Sequence, residues 1–106
     1  MKVTIQYFEG DPNWSTARDR VRDVLDGQGQ GSVEIELQRI GTSTEAHEFR
    51  FRGSPTILVD GVDPFDSEES GYGLMSRIYR TEAGTDVAPS ELQLRDALRR
   101  ADPPAR

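Results

Sequence analysis

The stretch Arg52-Gly53-Ser54-Pro55-Thr56-Ile57-Leu58-Val59-Asp60-Gly61 constrains the fold more than any other part of this chain. A glycine and a proline feed a short apolar run that ends at an Asp-Gly turn, the pattern of a loop entering a buried strand. A proline directly before a central strand cannot extend the hydrogen-bond ladder. We take Pro55 as the hinge of that loop and expect a cis Ser54–Pro55 bond, a form accessible almost only before proline.

The flanking sequence supplies the other elements. Val3, Ile5 and Tyr7 alternate with Thr4, Gln6 and Phe8 and stop at Glu9-Gly10, which predicts a first strand. Asp11-Pro12 predicts the start of a helix, because Asp accepts hydrogen bonds from first-turn amides and Pro suits the first helical position. Trp14, Ala17, Val21, Val24 and Leu25 then recur at helical spacing as far as Gly27. After a glycine-rich connection, Val33, Ile35 and Leu37 alternate with Glu34, Glu36 and Gln38, predicting a half-exposed strand. Thr42 and Glu45 have capping-box spacing, so a short helix through Ala46 and Phe49 is expected, ending at Gly53. Residues 62–73 carry no periodicity and predict a long polar loop. Leu74, Ser76 and Ile78 alternate with Met75, Arg77 and Tyr79 in a predicted strand over 74–80, and residues 81–85 turn the chain. Ser90 and Gln93 repeat the capping-box spacing ahead of the stripe Leu94, Ala97, Leu98 and Ala101, which Asp102-Pro103-Pro104 stops. The expected fold class is α/β in the order β-α-β-α-β-β-α, with the cis-proline loop before the third strand. A right-handed crossover makes the first two strands parallel neighbours.

Composition narrows the functions open to such a domain. A chain of 106 residues suits one domain over 1–106 with a single core. It has no cysteine, so a disulfide, a thiolate metal site and a cysteine nucleophile are all excluded. The net charge of −6 disfavours nucleic acid and anionic membrane surfaces as partners. No run approaches the roughly 20 apolar residues of a membrane span. The alternating first residues do not form a signal core, so the chain reads as cytoplasmic.

Two stretches, Phe8-Glu9-Gly10-Asp11-Pro12-Asn13-Trp14 and Phe51-Arg52-Gly53-Ser54-Pro55-Thr56-Ile57-Leu58-Val59-Asp60-Gly61, together resemble the thioredoxin-like family. More narrowly they are similar to small bacterial thioredoxin-like proteins whose first turn runs Phe-Glu-Gly-Cys-Pro-Asn-Trp. The resemblance covers nearly the whole chain and implies a thioredoxin-like fold. In the family a cysteine stands where this chain has Asp11, at a helix start that favours thiolate. A second cysteine of the narrower group aligns with Ser76. Thiol–disulfide exchange needs a thiolate, so that activity does not carry over to this sequence. The resemblance also implies that Ser54, before the proline, offers its backbone to an extended peptide or protein partner. It thus points to a non-redox binding module through Asp11, Pro12, Asn13, Trp14, Ser54, Pro55, Thr56 and Ser76, with no cofactor and no metal. The alternative is an oxidoreductase of the family in cysteine-substituted, inactive form.

The same residues also admit plainer readings. Asp11 suffices as a helix cap; as a general base it would be weak beside a helix dipole. Ser76 as a nucleophile would need a neighbouring base, and the sole histidine, His47, falls on the short second helix as a surface residue. Asp60, Asp63, Asp66, Glu68 and Glu69 do not follow EF-hand spacing and are expected to be a solvated acidic loop. Arg50, Arg52, Arg77 and Arg80 could rim an anion site or simply decorate exposed faces. Trp14 could pack in the core or stay half available to a ligand.

Overall fold

A computed structural model describes residues 1–66 and 71–101. The element order is β1 (Val3–Tyr7), α1 (Trp14–Gly27), β2 (Ile35–Arg39), α2 (Ser43–Glu48), β3 (Thr56–Val59), β4 (Tyr79–Thr81), β5 (Gly84–Asp86) and α3 (Glu91–Ala101). β1 is the central strand of a mixed sheet ordered β2-β1-β3, parallel to β2 and antiparallel to β3. The expected α/β class and the parallel β1–β2 pair are both present.

The alternation along β1 divides the protein into layers, since neighbouring side chains of a strand point to opposite faces. Val3 and Ile5 meet Ile57 and Val59 of β3 beneath Ala17, Val21, Val24 and Leu25 of α1 and Leu94 and Leu98 of α3. Each large apolar side chain fully buried there stabilises the fold by about 1.5–3 kcal/mol. On the opposite face, Ile40, Ala46 and Phe51 form a smaller cluster with Phe8 packed against it. Gln6 is buried on this second face and donates its amide to Gln38 Oε1 at 2.9 Å.

The capping signals of the second and third helices work as local chemistry predicts. Thr42 Oγ1 accepts from the Glu45 amide at 3.0 Å, opening α2. Ser90 Oγ accepts from the Gln93 amide while Gln93 Oε1 accepts from the Ser90 amide, a reciprocal box. Asp60 and Gly61 both have positive φ, and Val59 and Val62 exchange two main-chain bonds across them. That is the geometry of a two-residue hairpin turn, for which Asp-Gly is a favoured pair.

Three expectations are corrected. α1 begins at Trp14, not at Asp11-Pro12, and its N-cap Asn13 makes no side-chain capping bond; the Asp11 carboxylate is engaged elsewhere. The strand expected over 74–80 is reduced to β4 at its end, because among the described residues the only strand-type pairing of residues 74–78 is an isolated bridge at Ser76. The turn expected over 81–85 holds a further strand, β5, so β4 and β5 form a separate hairpin. Glu68, Glu69 and the Asp102-Pro103-Pro104 stop lie outside the described residues. Among those described, no helix is long and apolar enough to cross a membrane.

Candidate functional site

The loop entering β3 meets the turn leaving β1 at one pair of side chains. Ser54 and Asp11 are both buried, at 1% and 2% exposure. Ser54 Oγ donates to Asp11 Oδ2 at 2.6 Å. The other carboxylate oxygen, Oδ1, accepts from the Asn13 amide at 2.9 Å, while the Asp11 amide donates to the Phe8 carbonyl at 3.1 Å. Asp11 is therefore a buried clasp between the β1 turn and the β3 loop, not a helix cap. Burying a carboxylate is costly unless it is well hydrogen-bonded. Here both oxygens have partners.

The Ser54–Pro55 peptide is cis. The backbone of Ser54, the edge expected to receive an extended peptide, is already paired within the chain. Its amide donates to the Met75 carbonyl at 2.7 Å, and its carbonyl accepts from the Arg77 amide at 2.9 Å. This parallel bridge brings Ser76 beside Ser54, with the two side chains on one face, as paired strand residues are. The approach depends on Gly53, whose φ is +117° and whose absent Cβ would lie 3.1 Å from both Arg77 Cβ and the Met75 carbonyl oxygen.

Arg77 anchors this segment. Its guanidinium donates to Asp63 Oδ2 at 2.7 Å, to Thr56 Oγ1 at 3.3 Å and to the Phe65 carbonyl. It also lies 4.6 Å over the Tyr79 ring. The Arg77 and Asp63 side chains are only 9% and 12% exposed, so the pair belongs to the interior and not to an anion-binding rim. Tyr79 hydroxyl donates to the Pro55 carbonyl. Burial pushes the Tyr79 pKa far above the usual tyrosine value; the Arg77 charge opposes that shift and Asp63 adds to it. Arg52 pairs with Asp66 and lies 4.7 Å from the Tyr72 ring centre.

The remaining candidates separate. Pro12 is exposed and Asn13 half-buried at the turn. Trp14 is half-buried and stacks on the half-buried Tyr7, ring centres 4.4 Å apart, with Arg18 at 5.2 Å. Thr56 is buried and donates to the Gly53 carbonyl at 2.7 Å. Ser76 is exposed, as are Leu74 and Met75, and Ile78 is 64% exposed. Residues 74–78 thus form a ridge between two clefts. One of about 260 Å³ is walled by Phe8, Glu9, Gly10, Ile40 and Leu74. The other, of about 550 Å³, is walled by Phe65, Ser76, Ile78 and Arg80 among others. His47 is exposed on α2, 6.1 Å from the Tyr72 ring. Among the described residues, no group of three or more His, Asp or Glu could hold a metal ion.

Sequence reasoning missed Arg77 as an anchor and Met75 as the partner of Ser54. The one available signal was Gly53: a glycine before a serine-proline pair admits close approach by another backbone. No family model, curated protein or solved structure matches the chain.

Proposed function

We propose that this chain is a cysteine-free, thioredoxin-like protein that acts as a non-redox binding module through the Asp11–Trp14 turn and the Ser54–Thr56 loop. Support comes from the Ser54–Asp11 bond of 2.6 Å, which ties together the two stretches that carry the family resemblance. In this reading a partner does not pair with Ser54 directly, because Met75 and Arg77 hold its amide and carbonyl. It meets Pro12, Asn13 and the exposed ridge Leu74–Ser76, with apolar side chains entering the cleft beside Phe8. An extended protein segment suits such a ridge, since main-chain pairing gives affinity and alternate side-chain pockets give selectivity.

The test is a titration of isotope-labelled protein with glutathione, extended peptides and divalent cations, following backbone amide shifts and Trp14 fluorescence. Saturable shifts at Asn13 and at residues 74–76 are expected with a peptide. No response to any ligand, or shifts confined to other faces, overturns the reading.

The alternative, an oxidoreductase in cysteine-substituted form, draws on the bridge that sets Ser76 beside Ser54, itself bonded to Asp11. The double variant Asp11→Cys with Ser76→Cys should then oxidise to a disulfide, which requires Cα atoms roughly 4.4–6.8 Å apart. Two thiols that stay free under mild oxidant would dispose of it.

A further inference from the structure

The opposite edge of the sheet carries a separate feature. β2 is a border strand, with β1 as its neighbour in the sheet. The ladder between them continues into Ile40, whose amide donates to the Tyr7 carbonyl at 2.7 Å. Because main-chain groups alternate in direction along a strand, Gln38 and Glu36 also face β1. Ile35, Leu37 and Arg39 therefore direct their amides and carbonyls away from the sheet. Leu37, at the centre of this row, which has no strand partner among the described residues, is 45% exposed, a large apolar side chain where an edge is usually guarded by charge.

We propose that this edge binds a second copy of the chain, with the two β2 strands antiparallel and Leu37 opposite Leu37 of the partner copy. The chain's own residues select that register. Centred on Leu37, the pairing sets Ile35 opposite Arg39 and Glu36 opposite Gln38, so no like charges face each other. A shift to a centre on Glu36 sets the two Glu36 carboxylates directly opposite, which is destabilising. A shift to a centre on Gln38 sets Leu37 against Arg39 and Glu36 against the apolar Ile40. Beside this edge lie Arg18, Asp19, Arg22 and Glu34, with Arg18 paired to Asp19 and Arg22 to Asp26 within the chain.

Each copy uses up its β2 edge, so the assembly closes at two. A five-residue edge with its flanks is smaller than the roughly 800 Å² per partner of a stable complex. The dimer is accordingly weak, and the inference does not depend on the binding reading above.

Sedimentation equilibrium from about 10 µM to about 1 mM tests it, a span that captures dissociation constants in that range. A reversible monomer–dimer equilibrium is expected, with amide shifts at residues 35–39 that grow with concentration. Leu37→Lys should raise the dissociation constant at least about tenfold, equivalent to 1.4 kcal/mol, with an unchanged thermal melt at low concentration. Gln38→Glu is the register test: its carboxylate can still accept from Gln6, yet it would face Glu36 of the partner copy and should also weaken the dimer. A monomer throughout the range overturns the proposal. So does a dimer indifferent to both substitutions, or concentration-dependent shifts confined to another surface.

Discussion

On one side of Ser54 stands Asp11, buried, with both carboxylate oxygens engaged; on the other runs the 74–78 ridge, which gives Ser54 two main-chain bonds and leaves most of its side chains in solvent. The difference lies in what each side spends its polar groups on. The Asp11 side uses them up in holding the β1 turn to the β3 loop. The ridge is held from beneath, by Arg77 and by the missing side chain of Gly53, so Leu74, Met75, Ser76 and Ile78 remain available to something outside. Residues that look alike in a sequence, Ser54 and Ser76, therefore differ in kind: one is structural and the other presents itself.

The strongest way to break this contrast is to remove the anchor. Arg77→Ala leaves Asp63 almost buried without its cation, a change that costs about 3–5 kcal/mol. Urea denaturation should show that loss, and amide exchange should quicken at Ser54 and Arg77 before it does at Ile5. Asp11→Ala comes next. It deprives the buried Ser54 hydroxyl and the Asn13 amide of a charged acceptor, for an expected loss of about 2 kcal/mol. Asp11→Asn should restore part of that loss, because an amide oxygen can still accept.

The Tyr79 hydroxyl supplies a test by pH. Its folded pKa is raised by burial above the ordinary tyrosine value of about 10, so the folded state keeps the proton that the unfolded state gives up. The stability from this group is complete below pH 10 and declines as pH rises toward the raised folded value. Denaturation midpoints measured on the alkaline side should fall with pH for the native protein and change less for Tyr79→Phe. The smallest effect is expected at Ser76. Ser76→Ala should change stability by no more than about 0.5 kcal/mol, while Ser54→Ala, which strips Asp11 of its hydroxyl donor, should cost about 1–2 kcal/mol. Equal losses at the two serines would erase the distinction between the halves.

These halves were not equally legible in the sequence. Strand alternation at Val3, Ile5 and Tyr7, the apolar stripe of α1, the capping pairs at Thr42 and Ser90, and the Asp60-Gly61 turn are local signals, and each marks an observed element. Asp11 misleads because its partner is 43 residues away: an Asp-Pro pair resembles a helix start until Ser54 arrives to take the carboxylate. Residues 74–78 alternate in a way that imitates a strand, yet Leu74 and Ile78 on one side and Met75 on the other are exposed, and the position that turns inward is Arg77, so no apolar buried face enforced the pattern. β5 is three residues, Gly84-Thr85-Asp86, and contains no apolar side chain to announce it. Arg77 looked like surface charge because nothing near it in sequence shows that Asp63, Phe65 and Thr56 converge on it.

The central place of β1 also bears on how the fold is acquired. β1 is the first strand along the chain, and its two neighbours are β2 and β3. The pairing of Val3 with Val59 and of Gln6 with Thr56 closes a loop of about fifty residues, whose entropy must be offset by contacts formed only at closure. A chain that stops short of Val59 leaves one flank of its central strand bare, and with it the seat for Ile5 against Ile57. Nor can the Asp11 clasp form until Ser54 has been supplied, so the β1 turn and the β3 loop become ordered in one step. Loss of β3 is therefore expected to loosen the β1 turn as well as the sheet.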